Sequence, residues 1–210
     1  MIIFWIYKII NHIKKTPLNN GERYDPNILK KFGINDFHQI ARYEFAKKFI
    51  QKEDTLLDIA YGTEYGIKML AEKTISATGV DISDSAIKYA RKHYLGEKIN
   101  FLKADIFKYE QPADIVLSFE TIEHVGMDIQ STVLKLISLS NKILICSVPY
   151  REKEGNNKHH LHFQIQENDF SFLKGKYEYN FLYQSKNGSI NQEKNEDTTH
   201  LKGKLKKYAD

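Results

Sequence analysis

Two groups of residues in this 210-residue chain have the types and spacing to do chemistry. The first is FETIEH at 119–124, which sets Glu120, Glu123 and His124 at i, i+3 and i+4. On a turn or first helical turn, such positions share one face. Two carboxylates and an imidazole converging there make a divalent-cation site of mixed oxygen and nitrogen character. Downstream, NNKHHLHF at 156–163 offers His159, His160 and His162 to complete it. His162 alternates with Leu161 and Phe163, so His162 is expected to face inward, with His160 on the same side. The plainer reading of paired His159 and His160 is polar surface. With or without a metal, His124 suits a general base, because an imidazole pKa of about 6.5 lets it accept a hydroxyl proton near neutrality.

The second group is TLLDIAYGTEYG at 55–66, with Asp81 closing the following strand. A glycine turn lets the backbone approach a ligand, and a helix N-terminus behind it favours negative charge. An acid about 20 residues further on can hold a ribose through its two hydroxyls. This suits a nucleoside-containing ligand at the carboxyl edge of a parallel sheet. The turn is not G-x-G-x-x-G. Its small residues are Ala60, Gly62 and Gly66, and Asp58 stands where it would repel a pyrophosphate. Asp58 is better suited to an ammonium group or an ordered water.

These residues need a frame, and the apolar pattern supplies one. Strands are expected at 55–60, 76–81, 99–104, 113–119 and 142–148, with helices at 66–74, 84–94 and 128–138 between them. Ser83 is placed to cap the second of these helices. Such alternation predicts an α/β fold with a doubly wound, mostly parallel sheet. A helical lead-in over 36–51 precedes it. A charged, flexible loop is expected at 151–158, then a short helix at 167–173. A strand over 177–184 should carry Tyr177, Tyr179, Phe181 and Tyr183 on one face. Asn187-Gly188 signals a hairpin into a short return strand at 189–193. The domain reading is a helical cap at 1–50, a ligand-binding domain at 51–193 and a polar, frayed tail at 194–210.

D-x-A-x-G-x-E-x-G resembles the first motif of class I S-adenosylmethionine-dependent methyltransferases, often seen as D-I-A-C-G-x-G-x-G. VDIS at 80–83, FLKADI at 101–106 and ADIVLSFETIEHV at 113–125 resemble later motifs in the same order. The resemblance implies a Rossmann-like fold and S-adenosylmethionine as cofactor. It implies contacts from Asp58, Ala60, Tyr61, Gly62, Glu64, Gly66, Asp81, Ile82, Asp105, Ile106 and Phe119, with Asp105 capping the adenine. Glu64 stands where the family usually has glycine. E-x-x-E-H resembles two subgroups, the ubiquinone-biosynthesis O-methyltransferases and the methyltransferases of small-RNA 3′-terminal ribose, where two Glu and two His bind a metal. The lead-in, GERYDPN at 21–27 and HQIARYEFAKKFI at 38–50, resembles methyltransferases encoded among bacterial surface-polysaccharide genes. There Arg23 and Arg42 are suited to a cofactor carboxylate, and Tyr24 and Tyr43 to walling off the sulfonium.

The leading expectation is therefore an O-methyltransferase acting on a small hydroxylated acceptor, a sugar or sugar-linked group in capsule or lipopolysaccharide assembly. The alternatives are a metal-dependent RNA ribose 2′-O-methyltransferase, and a weak partner subunit whose cofactor site Glu64 disables. A net charge of +4 argues against a nucleic-acid partner without excluding one. The one cysteine, Cys146, rules out an internal disulfide framework and fits a reducing, cytoplasmic setting. Ile2–Ile10 is apolar but too short to span a bilayer. It is expected to pack on the domain or on a second copy, with attachment to the inner membrane face as the alternative.

Overall fold

In the computed structural model, the described residues are 37–60, 62, 65–195 and 198–206. Expectations for the 2–10 segment, for Gly21–Tyr24, and for Tyr61 and Glu64 lie outside them. The sheet has eight strands: β1 (Thr55–Ile59), β2 (Ser76–Asp81), β3 (Ile99–Lys103), β4 (Ala113–Phe119), β5 (Ser140–Pro149), β6 (Glu178–Ser185), β7 (Ile190–Asn191) and β8 (Thr198–Lys206). Their order is β3-β2-β1-β4-β5-β8-β6-β7. The first five are parallel, and β8 pairs antiparallel with both β5 and β6. The helices are α1 (Phe37–Ala46), α2 (Tyr65–Ala71), α3 (Asp84–Tyr94) and α4 (Ile129–Ser138). This is the expected doubly wound, Rossmann-like arrangement, with α1 as the helical lead-in.

The central strands are buried on both faces, as a parallel sheet covered by helices requires. On one face Leu56, Ile115, Leu117 and Ile145 meet Ile67, Leu70, Ile87 and Ala90 of the helices. On the other, Leu57, Val116 and Leu144 meet Val133, Leu136, Phe170 and Leu173. Tyr177, Tyr179, Phe181 and Tyr183 all pack against this second layer. Ser83 caps α3 by accepting from the Ala86 N–H, and Asp128 caps α4 by accepting from Ser131. Cys146 is buried in β5.

Two expectations are corrected. Residues 198–206 are not a frayed tail but a nine-residue strand inserted between β5 and β6. Its polar sequence hides this, because its stability comes from backbone ladders on both sides rather than from an apolar run. The return strand after Asn187-Gly188 is only Ile190–Asn191, at the sheet edge. The place beside β5 belongs to β8. The 151–158 loop is also more fastened than its charge suggests. Arg151 N–H donates to the Ile165 carbonyl and Gln164 N–H to that of Glu152.

Candidate active site

Most of the expected chemistry-bearing groups that the structure describes line one groove at the carboxyl edge of β1 to β5, where doubly wound sheets bind ligands. The groove there has a volume of about 1680 Å³. That exceeds the roughly 300–1,000 Å³ of a usual small-molecule site and leaves room for two ligands side by side. Ala60 and Glu120, just past β1 and β4, both adopt left-handed backbone, at φ 56° and 52°. Non-glycine residues held there commonly mark functional sites.

One half of the groove carries Asp58, Ala60, Gly62, Asp81, Ile82, Asp105 and Ile106. The Ala60 N–H donates to the Val80 carbonyl, tying the turn to the neighbouring strand. Asp81 Oδ1 accepts from the Ser83 N–H at 2.7 Å, and Asp105 Oδ1 from the Phe107 N–H at 2.9 Å. Each acid thereby orders its own loop. Ile82 is 67 % exposed at the groove, an apolar surface available to a flat ring. Asp58 is buried. Its Oδ2 accepts from the Tyr43 hydroxyl at 2.8 Å, and Oδ1 has no hydrogen-bond partner. Burial pushes its pKa up to about 7. The Tyr43 hydrogen bond opposes this and the nearby Asp81 charge adds to it. The Tyr43 ring packs edge-on to Phe119 and Tyr65. It also lies against Gly66, where a Cβ would sit 2.1 Å from the ring. Gly66 is thus required by close approach rather than by a left-handed turn.

The other half carries the acidic and imidazole groups. Glu123, His124 and His160 bring one ligand atom each to within 4.8 Å of one another. Glu123 is 0 % exposed, and neither carboxylate oxygen has a hydrogen-bond partner. Burial, reinforced by the Glu120 charge, holds its pKa well above the usual carboxylate range. An unsatisfied buried carboxyl is costly, and a cation beside it relieves that cost. The residues present therefore fit a divalent ion. The His124 tautomer fits too. His124 Nδ1 donates to the His159 carbonyl at 3.2 Å, so the neutral ring carries its lone pair on Nε2. His160 Nδ1 donates to Glu152, and its Nε2 accepts from the Asn157 amide at 2.9 Å, a bond the ring must give up to hold an ion. Carboxylate- or carbonyl-backed imidazoles are the usual second layer of a metal site.

Three expectations need correction. His162 is not part of the cluster. Its Nε2 donates to the carbonyls of Val125 and Met127 at 2.9 and 2.8 Å, so it fastens one wall of the groove to the histidine loop. Glu120 lies outside the cluster as well. Its Oε1 accepts from Ser147 Oγ at 2.6 Å and stands 3.4 Å from Arg42 Nη1. Arg42, expected to take a cofactor carboxylate, is already committed to Glu120 and, through Nε, to Gln184 at 3.1 Å. Ser147, Gln184, Glu152 and Asn157 were not foreseen. Only Ser147 had a usable signal, because parallel pairing of β4 with β5 sets it beside Phe119. Gln184 reaches Arg42 across 142 residues, a separation no local pattern reports.

Residues 57–138 match the family described as methyltransferase domain. Over this stretch the chain is similar to S-adenosylmethionine-dependent methyltransferases. It is 29 % identical over 129 residues to the ubiquinone biosynthesis O-methyltransferase of Nitrosomonas europaea, covering 51 % of this chain and 55 % of that protein. With the enzyme of the same name from Nitrosospira multiformis it shares 36 % identity over 76 residues, a third of either chain. The chain therefore spans about half the length of the first relative. Among solved structures, the small RNA methyltransferase HEN1 superposes with a TM-score of 0.68 at 22 % identity, over 82 % of this chain and 25 % of that one. The N-methyltransferase NodS from Bradyrhizobium japonicum WM9, in complex with S-adenosyl-L-homocysteine, gives 0.65 at 11 % identity over 96 % and 97 %. At such identities these two likenesses speak for the fold. Asp58, Gly62 and Asp81, and Asp105 with them, lie within the matched stretch and along one half of the groove.

Proposed function

We propose that the protein transfers the methyl of S-adenosylmethionine to a hydroxyl of a small acceptor, a sugar or sugar-linked group, with help from a divalent ion. The Glu123–His124–His160 cluster carries this reading. It sits in the same groove as the cofactor motifs, where an acceptor and a methyl donor can meet. O-methylation is the activity named for both relatives above, and the lead-in's likeness to polysaccharide-gene methyltransferases supports the sugar. When bound, S-adenosylmethionine supplies an electrophilic methyl on a sulfonium. A divalent ion held by Glu123, His124 and His160 supplies Lewis acidity that lowers the pKa of an acceptor hydroxyl.

The rest is the work of the chain. Asp81 and Asp105 face the ribose and adenine end, and Ile82 offers its apolar side. Asp58 and Tyr43 close the floor under the methionine end. His124 Nε2 faces the acceptor side with its lone pair. It ligates the ion, or takes the hydroxyl proton itself when no ion is present. The walls exclude water and hold the two reactants in line, which is the main source of acceleration in a direct displacement.

The test is calorimetry with S-adenosylhomocysteine, followed by transfer of labelled methyl to a panel of nucleotide-linked and lipid-linked sugars with and without chelator. Absence of cofactor binding rejects the proposal. A second reading, methylation of an RNA ribose, draws on the same cluster. It predicts salt-dependent affinity for short RNA, and no binding at low salt dismisses it. Should Glu64→Gly strengthen cofactor binding many-fold, a degenerate site becomes the better reading. Attachment to a membrane and pairing through 2–10 are further proposals, checked by flotation with vesicles and by light scattering. No described helix is long and apolar enough to cross a bilayer.

A further inference from the structure

We infer that the two glutamates of E-x-x-E-H have different jobs here. Among the described residues, Glu123 is the one carboxylate ligand of a three-ligand cation site, and Arg42 withholds Glu120 from it. The inference rests on the metal reading above and goes beyond it. It also departs from the set of two Glu and two His that the motif suggests.

Arg42 is 3 % exposed, so its charge is desolvated and must be paired. Its partners lie in two places. Nε donates to Gln184 Oε1 of β6 at 3.1 Å, and Nη1 stands 3.4 Å from Glu120 Oε1. Gln184 is itself fully engaged. Its amide nitrogen donates to the carbonyls of His38 at 3.0 Å and Gly188 at 3.1 Å. The guanidinium is therefore fixed from behind and not at liberty to follow Glu120. Ser147 holds the carboxylate from the other side, at 2.6 Å, and the Glu120 N–H also bonds to the Ser147 carbonyl at 3.0 Å. The left-handed turn at Glu120 (φ 52°) sets this backbone direction. An ion pair, a side-chain hydrogen bond and a backbone anchor thus fix Glu120, whereas neither carboxylate oxygen of Glu123 has a hydrogen-bond partner. The cluster of close ligand atoms contains Glu123, His124 and His160 and omits Glu120.

A consequence follows for Arg42. Its positive charge acts on Glu123 as well, so it repels any cation the cluster holds. Arg42 is then a positioning residue. It balances Glu120 and holds the site's affinity below what two unpaired glutamates would give. A residue serving only to pack α1 would not influence metal affinity in this direction.

The experiment is Mn²⁺ titration by calorimetry at pH 8, on the full chain, for the wild type, Arg42→Met, Arg42→Lys, Glu120→Gln and the double variant Arg42→Met/Glu120→Gln. Far-ultraviolet circular dichroism melts check folding. Arg42→Met is expected to tighten Mn²⁺ binding at least threefold, since the repelling charge is gone and Glu120 is released. Arg42→Lys keeps the charge and stays within threefold of wild type. Glu120→Gln loosens binding less than tenfold, and the double variant returns to within threefold of wild type. If Glu120→Gln loosens Mn²⁺ tenfold or more with Arg42 in place, Glu120 is a ligand and the inference is wrong. Weaker binding by folded Arg42→Met also overturns it. If Arg42→Met does not fold, the Arg42→Lys and Glu120→Gln results decide alone. A wild type that binds S-adenosylhomocysteine but no Mn²⁺ removes the metal reading together with this inference, yet leaves the methyltransferase assignment standing.

Discussion

Asp58→Asn should make the protein more resistant to alkaline conditions, by an amount the structure sets. Asp58 is buried with its Oδ1 unpartnered, and its pKa is raised from 3.8 to about 7. The folded state therefore holds this proton more tightly than the unfolded chain does. A raised acid pKa contributes stability that is complete below the unfolded value, and that is lost as pH rises through the folded one. The window runs from about pH 4 to about pH 7. At about 1.36 kcal/mol per pH unit, the interval from 3.8 to about 7 corresponds to a loss of about 4 kcal/mol. Asparagine cannot ionise, and its carbonyl oxygen can still accept from the Tyr43 hydroxyl. Urea denaturation of both proteins at pH 5, 6, 7 and 8 gives the measurement. The stability of the variant relative to wild type should climb by about 3 kcal/mol between pH 5 and pH 8, then level off. Glu123 has a raised pKa of the same sign, so the wild-type curve alone falls more steeply. Taking the difference isolates Asp58. A difference that stays flat across this range would refute the claim that burial keeps Asp58 protonated in the fold.

Gly66→Ala should destabilise the fold by about 1–3 kcal/mol in thermal or urea melts, because its Cβ would meet the buried Tyr43 ring at 2.1 Å. Adding Tyr43→Ala should remove most of the Gly66→Ala penalty; two independent, additive losses would contradict the contact. His162→Ala leaves the Val125 and Met127 carbonyls without their imidazole donor, at a cost of about 1–3 kcal/mol. It should raise the KM for the acceptor while S-adenosylhomocysteine affinity stays within twofold, and a reversed split would place His162 on the cofactor side. Asp128→Ala removes the α4 cap and should cost about 1 kcal/mol without changing ligand affinity.

Much of this protein is written locally along the chain. The alternation of short apolar runs with helical spacing located β1 to β5 and α2 to α4 with only small shifts at the ends, because a sheet buried on both faces needs apolar residues throughout. Ser83, Asp81 and Asp105 act on N–H groups within a few residues of themselves. Sequence order alone therefore placed them at strand ends, and parallel topology brought those ends together. Glu123, His124 and His160 were likewise named from residue type and spacing.

What only the tertiary structure decided is which partners those groups take. His162 and His160 share a strand-like spacing, yet one bonds two carbonyls and the other turns to Glu152. That choice depends on where the loop meets the 122–127 turn. Glu120 and Glu123 are chemically alike in the sequence. They diverge because Arg42, Ser147 and Gln184 arrive from three distant elements to pair one of them, while burial isolates the other. The strand at 198–206 was hidden for a related reason: its stability comes from backbone pairing with β5 and β6, and backbone hydrogen bonding leaves little mark on residue type.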